Sequence, residues 1–387
     1  MDNVKIFASV IDDATKAQIA ELAASDAYKG CAIRVMPDCH AGTGCTIGSV
    51  IAFHDRVVPN TVGVDIGCGM LVVGLGKVNI DLQKLDEVIR EKVPSGQNIH
   101  KTPQATFPFL DDLFCGGAID KDYALCSIGT LGGGNHFIEV DEDDEDNKYL
   151  VIHSGSRNLG VRVCKYWQER AISSLTDDSG AREKIIAQLK AEGRQREIGE
   201  ALKNLSHPKI NKDLAYLDGM LIDYYLNDMM ICQEYASANR LTIAHTICRS
   251  LDLIIASSFT TIHNYIDIPH KIIRKGAIAA PKGRKVIIPM NMRDGSLICV
   301  GKGNEDWLDS APHGAGRIMS RAQARAELSL SDYQTEMNNI YTTSVCKETI
   351  DEAPMAYKPA DVIMNDIKDT VDIVKVIRPI YNFKAKE

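Results

Sequence analysis

The sequence predicts an α+β fold in which one large, intertwined domain takes up residues 1–387, and three observations lead there. Short apolar β-type runs are interleaved with helical patterns along the whole chain. No internal repeat, low-complexity segment or linker-like stretch divides the 387 residues, a length that can bury a large core. The residues that carry chemistry are scattered from Asp65 to His313 in small-residue or polar settings, so their joint use requires distant segments to meet.

Taken in order, residues 4–10 and 32–36 read as short strands. The second leads into 36–48, a glycine-rich loop holding Asp38 and His40, and then into the apolar run 49–53. Residues 70–75 form a strand directly after the segment 62–70. Residues 81–93 are a helix, with Asp81 near its start and Leu82, Leu85, Val88 and Ile89 on one face. The stretch 94–122 has only weak periodicity and reads as loop. Residues 137–140 and 149–152 are strands on either side of the acidic run 141–146, most simply a solvated turn. Residues 161–205 read as largely helical, interrupted around 176–180. A long helical pattern over 214–240 continues through 243–258 towards His263, with Gly219 and Asn227 inside it. Residues 271–276, 285–289 and 297–300 are strands. Residues 309–317 open a helix running to about 328, and 361–374 place Ile363, Ile367, Val371 and Val374 on one helical face. A last strand at 377–383 precedes a basic tail with Lys384 and Lys386.

Composition narrows the function classes. Apolar content of 45% and charged content of 25% are ordinary for a globular protein. No apolar run approaches the roughly 20 residues of a membrane span, and residues 1–5 do not resemble a signal peptide. Eleven cysteines, an odd number with no C-x-x-C pair, fit a reducing cytoplasm better than a disulfide framework. The net charge of −8, from 44 basic and 52 acidic residues, argues against a general nucleic-acid coat but leaves room for a local basic groove.

The densest chemical signal is Val62-Gly63-Val64-Asp65-Ile66-Gly67-Cys68-Gly69-Met70. Its small residues let Asp65 and Cys68 converge, and a hard oxygen beside a soft sulfur suits a divalent transition metal. Three later histidines share that kind of setting: His136 after Gly132-Gly133-Gly134-Asn135, His153 before Ser154-Gly155-Ser156-Arg157, and His263 before Asn264-Tyr265. Five ligands exceed a closed tetrahedral zinc site; with Cys68 bridging they suit two ions a few Å apart. The competing reading makes each histidine a packed structural residue. Against it, packing gives a histidine no reason to prefer glycine-rich loops at strand ends.

His313, in His313-Gly314-Ala315-Gly316-Arg317, has no metal-ligand spacing to its neighbours and fits a nucleophile or acid–base better. Small-residue amides there would meet a phosphate at a helix N-terminus, with Arg317 adding a charge-assisted contact; an incidental histidine in a helix cap is the competing reading. The chain carries neither a G-x-x-x-x-G-K-[ST] loop nor a K-x-D-G signature, which disfavours P-loop NTPases and lysine-type nucleotidyl ligases.

Residues 62–70, 132–140, 151–160, His263-Asn264 and 313–317 together resemble the RtcB family of RNA-splicing ligases, in register from about residue 36 onward. The resemblance implies mixed sheets around a metal and nucleotide cleft. It also implies a GTP- and Mn²⁺-dependent enzyme joining an RNA 3′-phosphate or 2′,3′-cyclic phosphate to a 5′-hydroxyl. By that likeness Asp65, Cys68, His136, His153 and His263 hold two Mn²⁺ ions, and His313 carries GMP as a phosphoramidate. GMP contacts would come from Asn135, His136, Phe137, Ile138 and Glu139, from His263 and Asn264, and from Gly314, Ala315 and Gly316. Pro289, Met290, Asn291, Met292 and Ser296 would form a further wall, with Tyr357 and Lys384 at the guanine. Here the chain departs from the family's Pro-Gly-Ser-Met: Met290 and Arg293 are bulkier, and Asn291 replaces a serine that contacts the nucleotide. The chain is similar to a shorter, divergent branch suited to RNA repair. Two other readings of the same residues are a metal-dependent phosphoesterase or nuclease without nucleotide transfer, and a non-catalytic metal-binding RNA-recognition protein.

Overall fold

The computed structural model describes residues 3–177, 179–203 and 209–385. In chain order its first half comprises β1 (Val4–Ile6), α1 (Asp13–Ala24), β2 (Ala32–His40), β3 (Ile47–Ala52), β4 (Gly69–Gly76), α2 (Leu82–Lys92), α3 (Lys121–Ser127), β5 (Phe137–Glu142) and β6 (Lys148–Ser154). Next come α4 (Arg157–Thr176), α5 (Ser179–Ala191), α6 (Ile198–Lys203), α7 (Met220–Ser250), β7 (Ser257–Ile262), β8 (Asn264–Asp267), β9 (Ile272–Lys275) and β10 (Ala277–Ala279). The chain continues with β11 (Lys285–Asn291), β12 (Gly295–Gly301), β13 (Ser310–Pro312), α8 (Arg321–Glu327), α9 (Leu330–Glu336), α10 (Ala360–Asp366) and β14 (Val371–Lys384).

The strands form a seven-stranded antiparallel sheet, β11-β12-β14-β5-β6-β4-β7, a five-stranded sheet, β1-β2-β3-β9-β8, and the pair β10-β13. β4 is apolar on both sides because both sides are covered. Leu71, Val73 and Leu75 pack with Leu85 and Ile89 of α2 and Ile243 and Ile247 of α7, while Met70 and Val72 pack with Ile287, Ile298 and Ile377. α7, about 46 Å long at 1.5 Å per residue, runs behind the large sheet and also seals the second core through Tyr225, Met229 and Cys232. Among the described residues no helix is long and apolar enough to cross a membrane.

α2 follows expectation: Asp81 caps it by accepting from the Lys84 N–H at 3.0 Å, and Leu85, Val88 and Ile89 are buried. Several expectations change: β1 stops at Ile6 instead of 10, and the acidic run begins inside β5, with Asp141 and Asp143 buried. β2 runs on to His40 instead of ending at 36, because a register shift between Val35 and His40 accommodates Pro37 and re-pairs His40 with Ile47. α7 begins after Gly219, which stands at its N-cap, and ends at Ser250; Leu214 lies outside it. The expected continuation to 258 is instead β7, since Asp252 turns left-handed and Ser257–Ile262 pairs with β4. No helix opens at 309–317; α8 begins only at Arg321, and His313 to Ser320 is irregular. Val371 and Val374 belong to β14, paired to β12, so the expected helical face ends with α10. Of the helical run 161–205 and its interruption, residues 204–205 and 178 lie outside the described residues, as does Lys386.

Candidate metal and nucleotide site

Asp65 and Cys68 sit in the turn that feeds β4, beside the middle of α7. Gly67 makes the turn feasible: its φ is +71°, and a Cβ there would lie 2.9 Å from the Gln233 Cα. His136 precedes β5, His153 is in β6, and His263 separates β7 from β8. The pairing β5-β6-β4-β7 therefore brings all five side chains to one end of the large sheet.

Two overlapping clusters result. Cys68, His153 and His263 offer ligand atoms within 4.8 Å of one another, and so do Asp65, Cys68 and His136. The Cys68 Sγ belongs to both, 3.4 Å from the His136 Nε2 and 3.3 Å from the His153 Nε2. The Asp65 Oδ2 is 2.9 Å from the His136 Nε2, and the Nε2 atoms of His153 and His263 are 3.4 Å apart.

Ring orientation is set from behind. The Nδ1–H of His136 donates to the Leu131 carbonyl at 2.9 Å, and that of His153 to the Asn135 carbonyl at 3.1 Å, which points the His136 Nε2 at the Asp65 carboxylate and aims the His153 Nε2 lone pair into the cluster. Burial, with neighbouring imidazoles, depresses His153 and His263 well below the usual histidine range, so both rings are neutral. Burial works against ionised Asp65, but the hydrogen bond and charge of His136 outweigh it and hold the carboxyl at about 2. Burial, then Asp65, pushes the Cys68 thiol well up. Converging lone pairs, a carboxylate and a thiol repel one another; a divalent cation converts that repulsion into ligation and displaces the thiol proton.

The support around these residues comes from Asn239 and Arg240 of α7 and from Asn264 of β8. Asn239 accepts from the N–H groups of Gly129 and Thr130 and donates to the carbonyls of Thr130 and Gly155 and the Ser154 hydroxyl. Arg240, 1% exposed, donates from Nη1 to the carbonyls of Gly67 and Ser154, both at 2.8 Å. Asn264 donates to the Asp65 carbonyl and accepts from the Gly276 N–H.

His313 stands beside this cluster, its ring centroid 4.8 Å from that of His263. One carboxylate oxygen of Asp38 accepts from both the His313 Nδ1–H, at 2.5 Å, and the His313 N–H, at 3.1 Å. Asp38 is fully buried, and the two bonds fix the ring with Nδ1 at the carboxylate and Nε2 turned away from it. Two cavities meet at His313, Asn135 and Ile47. One, of about 310 Å³, reaches Asp65, Cys68, His263 and Asn264. The other, of about 300 Å³, is lined by Phe137 and Glu139, by Pro289 to Met292, by Gly314 to Gly316, and by Tyr357 and Lys384.

Most expected contact residues thus line one cavity or the other, and His136 lies in the metal cluster. Two do not. Ile138 alternates away from Phe137 and Glu139 into the core against Ile152 and Phe383, and Ser296 is fully buried off the cavity wall, its hydroxyl unpartnered. Asn291 lines the cavity, yet its amide is engaged within its own turn, donating to Asp294 and accepting from the N–H groups of Arg293 and Asp294. Arg317, expected to reach a phosphate from a helix start, instead donates to the carbonyls of Met319 and Asp351 and to Glu352 and Tyr357.

Sequence reasoning passed over Asp38 as a partner, and also Glu352. Glu352 is the hub of the far end of the cavity, accepting from Lys384 at 2.5 Å, Tyr357 at 2.7 Å, Arg321 at 2.8 Å and Arg317 at 3.2 Å. Burial opposes ionisation there, but Lys384 and Arg321 outweigh it and hold the carboxyl at about 2. The one signal for Asp38 was its place in a glycine-rich loop beside His40; nothing local marks Glu352.

A sequence model of the family described as "tRNA-splicing ligase RtcB" matches residues 18–114 and 117–385. The RNA-splicing ligase RtcB of Escherichia coli strain K12 is 30% identical over 396 residues, covering 91% of this chain and 90% of that protein. The tRNA-splicing ligase RtcB of Archaeoglobus fulgidus is 27% identical over 435 residues, covering 88% and 83%, and that of Methanococcus maripaludis 26% over 437 residues, covering 89% and 85%.

Proposed function

The chain belongs to the RtcB family of RNA ligases, and on that footing we propose that it is a GTP- and Mn²⁺-dependent ligase joining RNA 3′-phosphate or 2′,3′-cyclic phosphate ends to 5′-hydroxyl ends in RNA repair. The observation that carries this reading is the pairing of Asp38 with His313 at the junction of the two cavities.

Asp65, Cys68, His136, His153 and His263 would hold two ions, with the Cys68 Sγ common to both. Bound there, the ions would polarise phosphate oxygens and offset developing negative charge. The neutral His313 Nε2 attacks the GTP α-phosphorus; a P–N bond forms and the α–β P–O bond breaks, releasing pyrophosphate. Asp38, holding Nδ1–H, stabilises the ring as it becomes cationic. An RNA 3′-phosphate oxygen then takes the GMP and restores the ring. The 5′-hydroxyl finally attacks that activated phosphate, loses its proton and displaces GMP. Phe137 supplies an aromatic face at the base end of the cavity, with Glu139, Tyr357 and Lys384 as its polar edge. The ligase domain spans residues 1–387 in a cytoplasmic protein.

The test is to incubate the protein with Mn²⁺ and α-labelled GTP and measure acid-labile label on the protein, in the wild type and in His313→Ala. Label that vanishes with the histidine is the expected result. An unlabelled, metal-loaded wild type that still cleaves RNA ends would favour the phosphoesterase reading, and one inert in both assays would favour simple RNA recognition.

A further inference from the structure

One cavity-lining polar side chain has no part in the chemistry above. His40 closes β2 two residues after Asp38 and lines the 300 Å³ cavity together with His313, Gly316 and Arg317. Its Nδ1 lies 3.0 Å from the Asp38 carbonyl oxygen, which can only accept, so Nδ1 carries the proton and Nε2 the lone pair. Burial lowers the ring's proton affinity, and the nearby His313 and Arg317 lower it further, against the opposing pull of the Asp38 carbonyl and carboxylate. The ring is therefore neutral.

No described residue donates to the His40 Nε2. The guanidiniums of Arg317 and Arg321, which line the same cavity, make their hydrogen bonds to Met319, Asp351, Glu352 and Tyr357. A lone pair at the wall of a partly buried cavity repels phosphate oxygens and is satisfied only by a donor on the occupant. Away from its base, a nucleotide's neutral donors are its ribose hydroxyls. A nucleotide with its α-phosphate at His313 and its base towards Phe137 and Lys384 holds the sugar between them, inside the cavity whose lining includes His40.

We propose that His40 accepts a hydrogen bond from a ribose hydroxyl of the bound nucleotide and so selects against nucleotides that lack that hydroxyl. This rests on reading that cavity as the nucleotide site. The experiment compares α-labelled GTP, 2′-deoxyGTP and 3′-deoxyGTP with the full chain and Mn²⁺, scoring protein labelling and, separately, equilibrium nucleotide binding. The wild type is expected to favour GTP over one of the two analogues by roughly 10- to 100-fold. His40→Ala is expected to handle GTP as poorly as that analogue, while His40→Gln, which keeps an acceptor, recovers part of the preference. A merely structural role would lower all three nucleotides together. Equal use of all three by the wild type, or undiminished discrimination in His40→Ala, would overturn the proposal. If the wild type binds GTP without being labelled, the nucleophile assignment fails, and the binding series still decides the role of His40. If it binds no nucleotide, both readings fall.

Discussion

Replacing Asp38 by Asn isolates the feature on which the proposed nucleotidyl-transfer chemistry depends. The Asp38 Oδ2 accepts two hydrogen bonds from His313, while the fully buried Oδ1 has no partner and lies against Gly48. An asparagine that keeps its oxygen towards His313 must bury an NH₂ where nothing accepts it, at a cost of about 1–3 kcal/mol to folding. Turning the amide over instead presents NH₂ to Nδ1 and moves the ring proton to Nε2, which removes the nucleophile. Either way the anion that would stabilise the cationic ring is gone. Comparable losses of an orienting carboxylate cost about 10²- to 10⁴-fold in rate, or ~3–5 kcal/mol of barrier. The assay is single-turnover incorporation of α-labelled GTP at saturating Mn²⁺, beside a thermal melt of the same sample. Labelling within threefold of wild type, or a loss accounted for by unfolded protein, would refute the assignment.

Four further outcomes are expected. Cys68→Ala removes the sulfur common to both clusters, so bound metal should fall from two ions per chain to one or fewer and labelling should disappear; intact metal content with normal labelling contradicts the shared-ligand reading. Gly155→Ala would set a Cβ 2.0 Å from the Asp65 Oδ1, so titration should show metal affinity reduced about 10- to 100-fold, and an unchanged isotherm would refute this. Arg240→Met leaves the Gly67 and Ser154 carbonyls unpaired, for an expected loss of about 2–4 kcal/mol in denaturant unfolding together with weaker metal binding; a loss below 1 kcal/mol would show that the two loops do not depend on it. Glu352 is held at about 2 against an ordinary 4.5, so its charge contributes up to about 3 kcal/mol above pH 5, and that contribution is lost as pH falls through 4.5 towards 2. Glu352→Gln should therefore flatten the acid limb of the stability profile, and an unchanged slope would place the linkage elsewhere.

Several features of the site were legible because their signals are local. Glycine and asparagine around Asp65, Cys68, His136 and His153 mark backbone that must turn tightly at strand ends, and pairing of β4, β5, β6 and β7 then draws those ends together. Asp81 and the spacing of Leu85, Val88 and Ile89 were sufficient for α2, because capping and helical periodicity act within a few residues. Where β-branched runs satisfy helical and strand periods alike, at 257–262 and 371–374, only the partner strand decided. The edge of β4 was open to receive Ser257–Ile262, and β12 to receive β14.

By itself the sequence singled out the candidate metal-binding and nucleophilic residues, placed them in turns or at strand ends, and marked the family, since these depend on residue type and short spacing. Tertiary structure alone decided that Asp38 holds His313 across 275 positions, and that Arg317 turns to Glu352 instead of the open cavity. A buried carboxylate takes whichever donor the packing brings within about 3 Å, and no local pattern encodes the identity of that donor.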